Sequence, residues 1–113
     1  MRLRALNQRL RKKAIQSSSR YKIAAAAFTK HGNLLGYATN NINMKFPSSR
    51  KGGGLHAERE LMKKFGNRIE YIILARVGAP GDNNLPIHPC ETCAKLAHQM
   101  NIKIFPIHEL LDL

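Results

Sequence analysis

The sequence predicts an α/β fold, a three-layer α-β-α sandwich with the element order α-β-β-α-β-α-β. Three observations carry this expectation. Short apolar runs with strand character are interleaved with segments of helical periodicity, the pattern of a central sheet covered by helices. A chain of 113 residues builds one modest hydrophobic core and not two, so residues 1–113 read as a single domain. The longest apolar run, Ile23 to Phe28, is far too short to cross a bilayer.

The elements follow in order. Over residues 2–16, Leu3, Leu6, Leu10 and Ala14 recur at spacings of three and four with arginines between them, which is one face of a basic helix. Ser17-Ser18-Ser19 ends it. Ile23–Phe28 and Leu34–Ala38 flank the turn signal Lys30-His31-Gly32-Asn33 and read as strand, turn, strand. The alanines of the first strand should let a helix pack closely on the sheet. Asn40 to Gly54 is a polar loop; its Gly52-Gly53-Gly54 lacks the spacing and the following Lys-Ser/Thr of a phosphate-binding P-loop. Leu55 to Phe65 is helical and Gly66 stops it. Tyr71–Ala75 is a buried strand, and Gly78 to His88 a polar connection. Pro89 then introduces a helix over Cys90–Met100, with Asn101 just past its end. Ile102–Phe105 is a fourth strand.

The charge is unevenly placed. No Asp or Glu precedes Glu58, whereas twelve Lys and Arg do, and from Glu58 onward acidic and basic residues balance, so the net charge of +12 lies in the first half. Such polarity suits a phosphate-bearing partner, either a nucleotide or a nucleic acid. A packing helix with merely solvated charges is the plainer account of residues 2–16. The basic N-terminus leads into polar residues without a long apolar stretch, so neither a secretory signal nor a membrane anchor is expected, and the expected location is the cytoplasm.

Two motifs carry chemistry. His56-Ala57-Glu58 and Pro89-Cys90-Glu91-Thr92-Cys93 offer one imidazole and two thiols as metal ligands, with a carboxylate left over. A disulfide across so short a loop would constrain the unfolded chain little, leaving a redox dithiol and a metal pair as the competing readings. The redox reading has no use for His56 and Glu58; the metal reading uses both. Three protein ligands leave the fourth tetrahedral position open, as in catalytic rather than structural zinc sites. A fourth ligand from His31, His88, His98 or His108 would close the site, with His88 the nearest in sequence.

This H-x-E…P-C-x-x-C pattern resembles that of the cytidine deaminase-like zinc deaminases, over roughly Tyr21 to Phe105. The resemblance implies one Zn²⁺ per chain on His56, Cys90 and Cys93. Glu58 is then the proton shuttle for hydrolytic loss of ammonia from a nucleobase, at C4 if the base is cytosine. An asparagine after the second strand binds the sugar in such proteins, making Asn40 the first candidate here and Asn41 the next. Ala57, Pro89 and His88 would line the substrate pocket, and Lys45, Arg50 and Lys51 could hold a phosphate. Tyr37 and Phe46 could stack on a base. His56-Ala57-Glu58-Arg59 also looks like the free-cytidine enzymes, which usually carry cysteine where His56 stands. Relatives often continue past the fourth strand with another helix and strand. Only Pro106–Leu113 remain here, so a truncated C-terminus with one short turn or helix is expected, together with an exposed sheet edge that favours a homo-oligomer.

Three functions follow as expectations. The first is deamination of cytosine in a free nucleoside or nucleotide, of deoxycytidylate or cytidine type. The second is the same chemistry, on cytosine or adenine, in single-stranded DNA or RNA, with the basic first half tracking the backbone. The third belongs to another class, a catalytically silent, zinc-stabilised nucleic-acid-binding module.

Overall fold

A computed structural model describes residues 2–16, 22–40, 56–78 and 84–112. Within them the order is α1 (Leu3–Ile15), β1 (Lys22–Phe28), β2 (Leu34–Thr39), α2 (Ala57–Phe65), a 3₁₀ turn (Gly66–Arg68), β3 (Tyr71–Val77), β4 (Asn84–Leu85), α3 (Glu91–Gln99), β5 (Lys103–Pro106) and α4 (Ile107–Leu111). The expected elements are all present, with ends moved by a residue or two. β4 is added, a two-residue strand inside the stretch read as the Gly78–His88 connection and too short to leave a periodic signal. α4 is the short C-terminal helix expected of Pro106–Leu113.

The sheet runs β2-β1-β3, with β4 and β5 sharing the far edge of β3. β1 is antiparallel to both neighbours, and β5 is parallel to β3 through the α3 crossover. Alternation along the central strands divides the core into two layers. Ala24, Ala26 and Phe28 of β1 join Ile73, Ala75 and Val77 of β3 beneath Leu6, Leu10 and Ala14 of α1 and Ile107 of α4. Ala25 and Ala27 join Ile72 and Leu74 on the opposite face, against Ala57, Leu61 and Met62 of α2 and Ala97 of α3. The α-β-α sandwich is therefore met. Ala24 through Ala27 are fully buried, because a strand covered on both faces has room only for small side chains where helices approach closely.

Local chemistry fixes the element ends. Gly32 takes φ +81° in the β1–β2 turn, where its N–H donates to the Thr29 carbonyl at 2.9 Å. Asn101 takes φ +58° after α3. Its N–H donates to the His98 carbonyl at 3.2 Å and that of Ile102 to Ala97 at 2.8 Å, the paired bonds of a Schellman stop. Thr39 and Val77, the last residues of β2 and β3, lie beside the start of β1 at Ala24 and Lys22. α3 follows β3 from that end. Ligands of open α/β sheets collect there, outside the carboxyl ends of the strands.

Candidate metal and catalytic centre

His56 and Cys90 occupy equivalent positions, each the N-cap of its helix in extended backbone conformation. Both residues thus stand just ahead of the first turn that sequence periodicity assigned them. Cys93 lies three residues into α3, so its side chain and that of Cys90 turn to the same side. The result is one cluster: a nitrogen of His56 and the two sulfurs all lie within 4.8 Å of one another. Cys90 Sγ is 3.5 Å from His56 Nδ1 and accepts a hydrogen bond from the Cys93 N–H at 3.4 Å. The positive end of the α3 dipole and this N–H both face the Cys90 sulfur.

The donor set fits zinc. Zn–S bonds of about 2.3 Å and Zn–N bonds of about 2.0–2.1 Å place S and N roughly 3.5–3.6 Å apart around a tetrahedral ion, and the His56–Cys90 separation already has that value. Both cysteines are free thiols. Burial first, then the neighbouring Glu58 charge and Cys90, push the Cys93 thiol well above its ordinary range. A cation at the cluster would reverse that balance, since coordination deprotonates a thiol outright.

Glu58 sits in the first turn of α2 and is 5% exposed. Desolvation by burial is the largest influence on its carboxyl and raises its pKa above the ordinary value. Hydrogen bonds from its own backbone N–H and the Cys93 thiol, with the nearby His56 charge, oppose that rise. A buried carboxyl beside a thiol that could ligate a metal can hold or release a proton without being a ligand itself.

The other expected site residues are placed as follows. Ala57 is fully buried in the α2–α3 core layer, and Pro89 is half-buried beside Cys90. The Asn40 side-chain oxygen accepts from the Ile23 N–H at 3.0 Å, and the Asn40 N–H donates to the Ile23 carbonyl at 3.3 Å, so this residue closes the β1–β2 ladder. Tyr37 lies on β2 under the Lys13 ammonium, 4.7 Å from its ring centroid. His88 does not join the cluster. Its side chain is 71% exposed and faces Glu109. Asn41, Lys45, Phe46, Arg50 and Lys51 lie outside the described residues. Sequence reasoning missed Asn7, whose buried amide exchanges two 2.9 Å hydrogen bonds with Asn84; nothing local marks a pair 77 residues apart.

No family model matches the chain, and no curated protein matches it in sequence. Solved structures do. Cytidine deaminase from Mycobacterium leprae aligns over 100% of this chain and 99% of its own, with TM-score 0.59 and 20% identity. The Burkholderia pseudomallei cytidine deaminase aligns over 89% and 78%, with TM-score 0.60 and 20% identity. That of Mycobacterium tuberculosis covers 98% and 94%, with TM-score 0.56 and 22% identity. The chain has a cytidine deaminase-like fold.

Proposed function

We propose that this protein is a zinc-dependent hydrolase that removes the amino group of a cytosine base in a free nucleoside or nucleotide, releasing ammonia. One observation carries the reading: a buried carboxylate, Glu58, borders a three-donor cluster of His56, Cys90 and Cys93 whose spacing suits zinc. The fold supports it. When bound, zinc supplies Lewis acidity that brings the pKa of a water toward neutrality.

The protein's own groups do the rest. His56, Cys90 and Cys93 hold the ion, leaving one position open because no fourth protein donor joins them among the described residues. Glu58 accepts a proton from the attacking water, passes it to the ring nitrogen, and serves the departing amine in turn. Its burial favours the protonated form between these transfers. Its carboxyl is buried in the first turn of α2, whose Ala57 and Leu61 belong to the α2–α3 core layer.

The charge of +12 favours a second reading, the same reaction on cytosine or adenine in single-stranded DNA or RNA. Against it, α1 packs across the sheet from the α2–α3 layer, and the chain has no Trp, three Tyr and four Phe with which to stack bases. The test is ammonia release by zinc-loaded protein from cytidine, deoxycytidylate, adenosine and a mixed single-stranded pool, with Glu58→Ala as control. A loss of about 10²–10⁴-fold is expected in the variant, with zinc retained. Release from a strand alone would move the assignment to polynucleotide editing. Zinc uptake without Glu58-dependent release from any substrate would leave the silent binding module.

A further inference from the structure

We propose a second divalent-metal site, formed by His88, His108 and Glu109. A nitrogen of each imidazole and a Glu109 carboxylate oxygen all lie within 4.8 Å of one another. His88 Nε2 is 4.0 Å from Glu109 Oε1, and the two imidazole rings meet edge to face with centroids 6.0 Å apart. The residues come from two elements, the segment entering α3 and the C-terminal helix α4. None of them belongs to the His56, Cys90 and Cys93 cluster.

The chemistry of the three donors is that of two imidazoles and one carboxylate. Such a set suits first-row divalent ions such as Zn²⁺, Ni²⁺ or Cu²⁺. His108 adds an independent sign, because its Nδ1 is shut away from solvent and has no hydrogen-bond partner among the described residues. A buried ring nitrogen left unsatisfied is uncommon in proteins. The protein offers little that an ion must displace, since the His88–Glu109 pair is exposed on both sides and such pairs contribute almost nothing. Donors around a single ion stand roughly 3.4 Å apart for bonds of about 2.1 Å. Closing from 4.0 Å for His88 and Glu109, and from no more than 4.8 Å for the pairs with His108, asks for rotations of the solvent-facing His88 and Glu109 side chains toward His108.

Exposure and the absence of thiolates make this the weaker and more exchangeable of the two sites. Its place gives it a consequence. His88 stands two residues before Cys90, so an ion here ties α4 to the segment that delivers Cys90 to the first cluster.

Equilibrium dialysis against buffered free Zn²⁺, with metal counted per chain, tests this. Unsubstituted protein should take up a tight and a weaker equivalent. The double variant His88→Gln/Glu109→Gln changes only exposed side chains, and should lose at least tenfold in affinity at the weaker site alone; His108→Ala should do the same. Co²⁺ loading separates the two sites, because only the first gives thiolate charge-transfer absorption. The proposal is overturned if saturating Zn²⁺ gives one equivalent that the double variant keeps, or if a second equivalent survives all three substitutions. A single, weak equivalent that Cys90→Ser keeps and the double variant loses would uphold this site and remove the deaminase reading.

Discussion

Two polar residues are buried among the described elements, one in each helical layer, and they differ in how they are satisfied. Asn7 of α1 meets Asn84 of β4 in a reciprocal pair of amide hydrogen bonds. Its donors and acceptors are matched by a neutral group, so it fastens the helix to the sheet edge. Glu58 of α2 is buried as deeply, beside a thiol and an imidazole instead of an amide, and burial weakens its charged form. A buried polar group matched by its own kind is structural. One whose neighbours are a thiol and an imidazole able to hold a metal is a candidate for chemistry. The α1 layer should therefore answer to stability and, on the proposed function, the α2–α3 layer to metal and turnover.

The largest expected effect breaks the second half of that contrast. In Cys90→Ser the helix cap is kept, because serine is a favoured N-cap, while a soft ligand is lost. The tight zinc equivalent should fall to well below one per chain, and turnover should disappear with it. A tight equivalent kept in full by this variant would mean that the cluster is not the ligand set. Next in size is Leu10→Ala, on the other layer. Leu10 is fully buried, and its truncation should cost about 2–5 kcal/mol, measured by urea denaturation. Zinc stoichiometry and activity per folded molecule should stay unchanged. A loss of either without unfolding would show that the layers are coupled.

The sequence made the layers legible where a side chain's chemistry is local. A short, continuously apolar run beside a turn signal marked Ile23 to Phe28 as a strand, the spacing of Leu3, Leu6, Leu10 and Ala14 marked the inward face of α1, and Asn101 announced the end of α3. The His56, Cys90 and Cys93 group was readable because ligand types are few and their spacing is stereotyped. What escaped depends on distant pairing. β4 exists only because Arg76 and Val77 offer it an edge, and the His88, His108 and Glu109 grouping exists only because α4 folds back beside the entry to α3.

Gly36 belongs to the same class of long-range facts. A Cβ built there would stand 2.9 Å from Cε2 and Cζ of Phe65, so the absent side chain is what lets the end of α2 lie on β2. Gly36→Ala should cost about 1–3 kcal/mol through overpacking. Because Phe65 and His56 are at opposite ends of α2, zinc affinity should change less than stability does. Thermal unfolding of zinc-loaded and chelated protein measures both. Equal losses would mean that α2 transmits the displacement to its first turn.

The smallest effect on stability sharpens the contrast furthest. Arg4, Arg9 and Lys12 are exposed on α1, so Arg4→Gln/Arg9→Gln/Lys12→Gln should move stability by no more than about 0.5 kcal/mol per site. If the layer is purely structural, ammonia release from deoxycytidylate or cytidine is unchanged, and its dependence on salt stays shallow. If α1 instead tracks a polyanion, binding of a single-stranded oligonucleotide weakens in the variant. The slope of log K against log salt then falls by roughly 0.7 for each phosphate contact removed. A filter-binding series from 50 to 200 mM salt distinguishes these outcomes, because mere solvation of a charged helix leaves that slope unaltered while a backbone contact cannot.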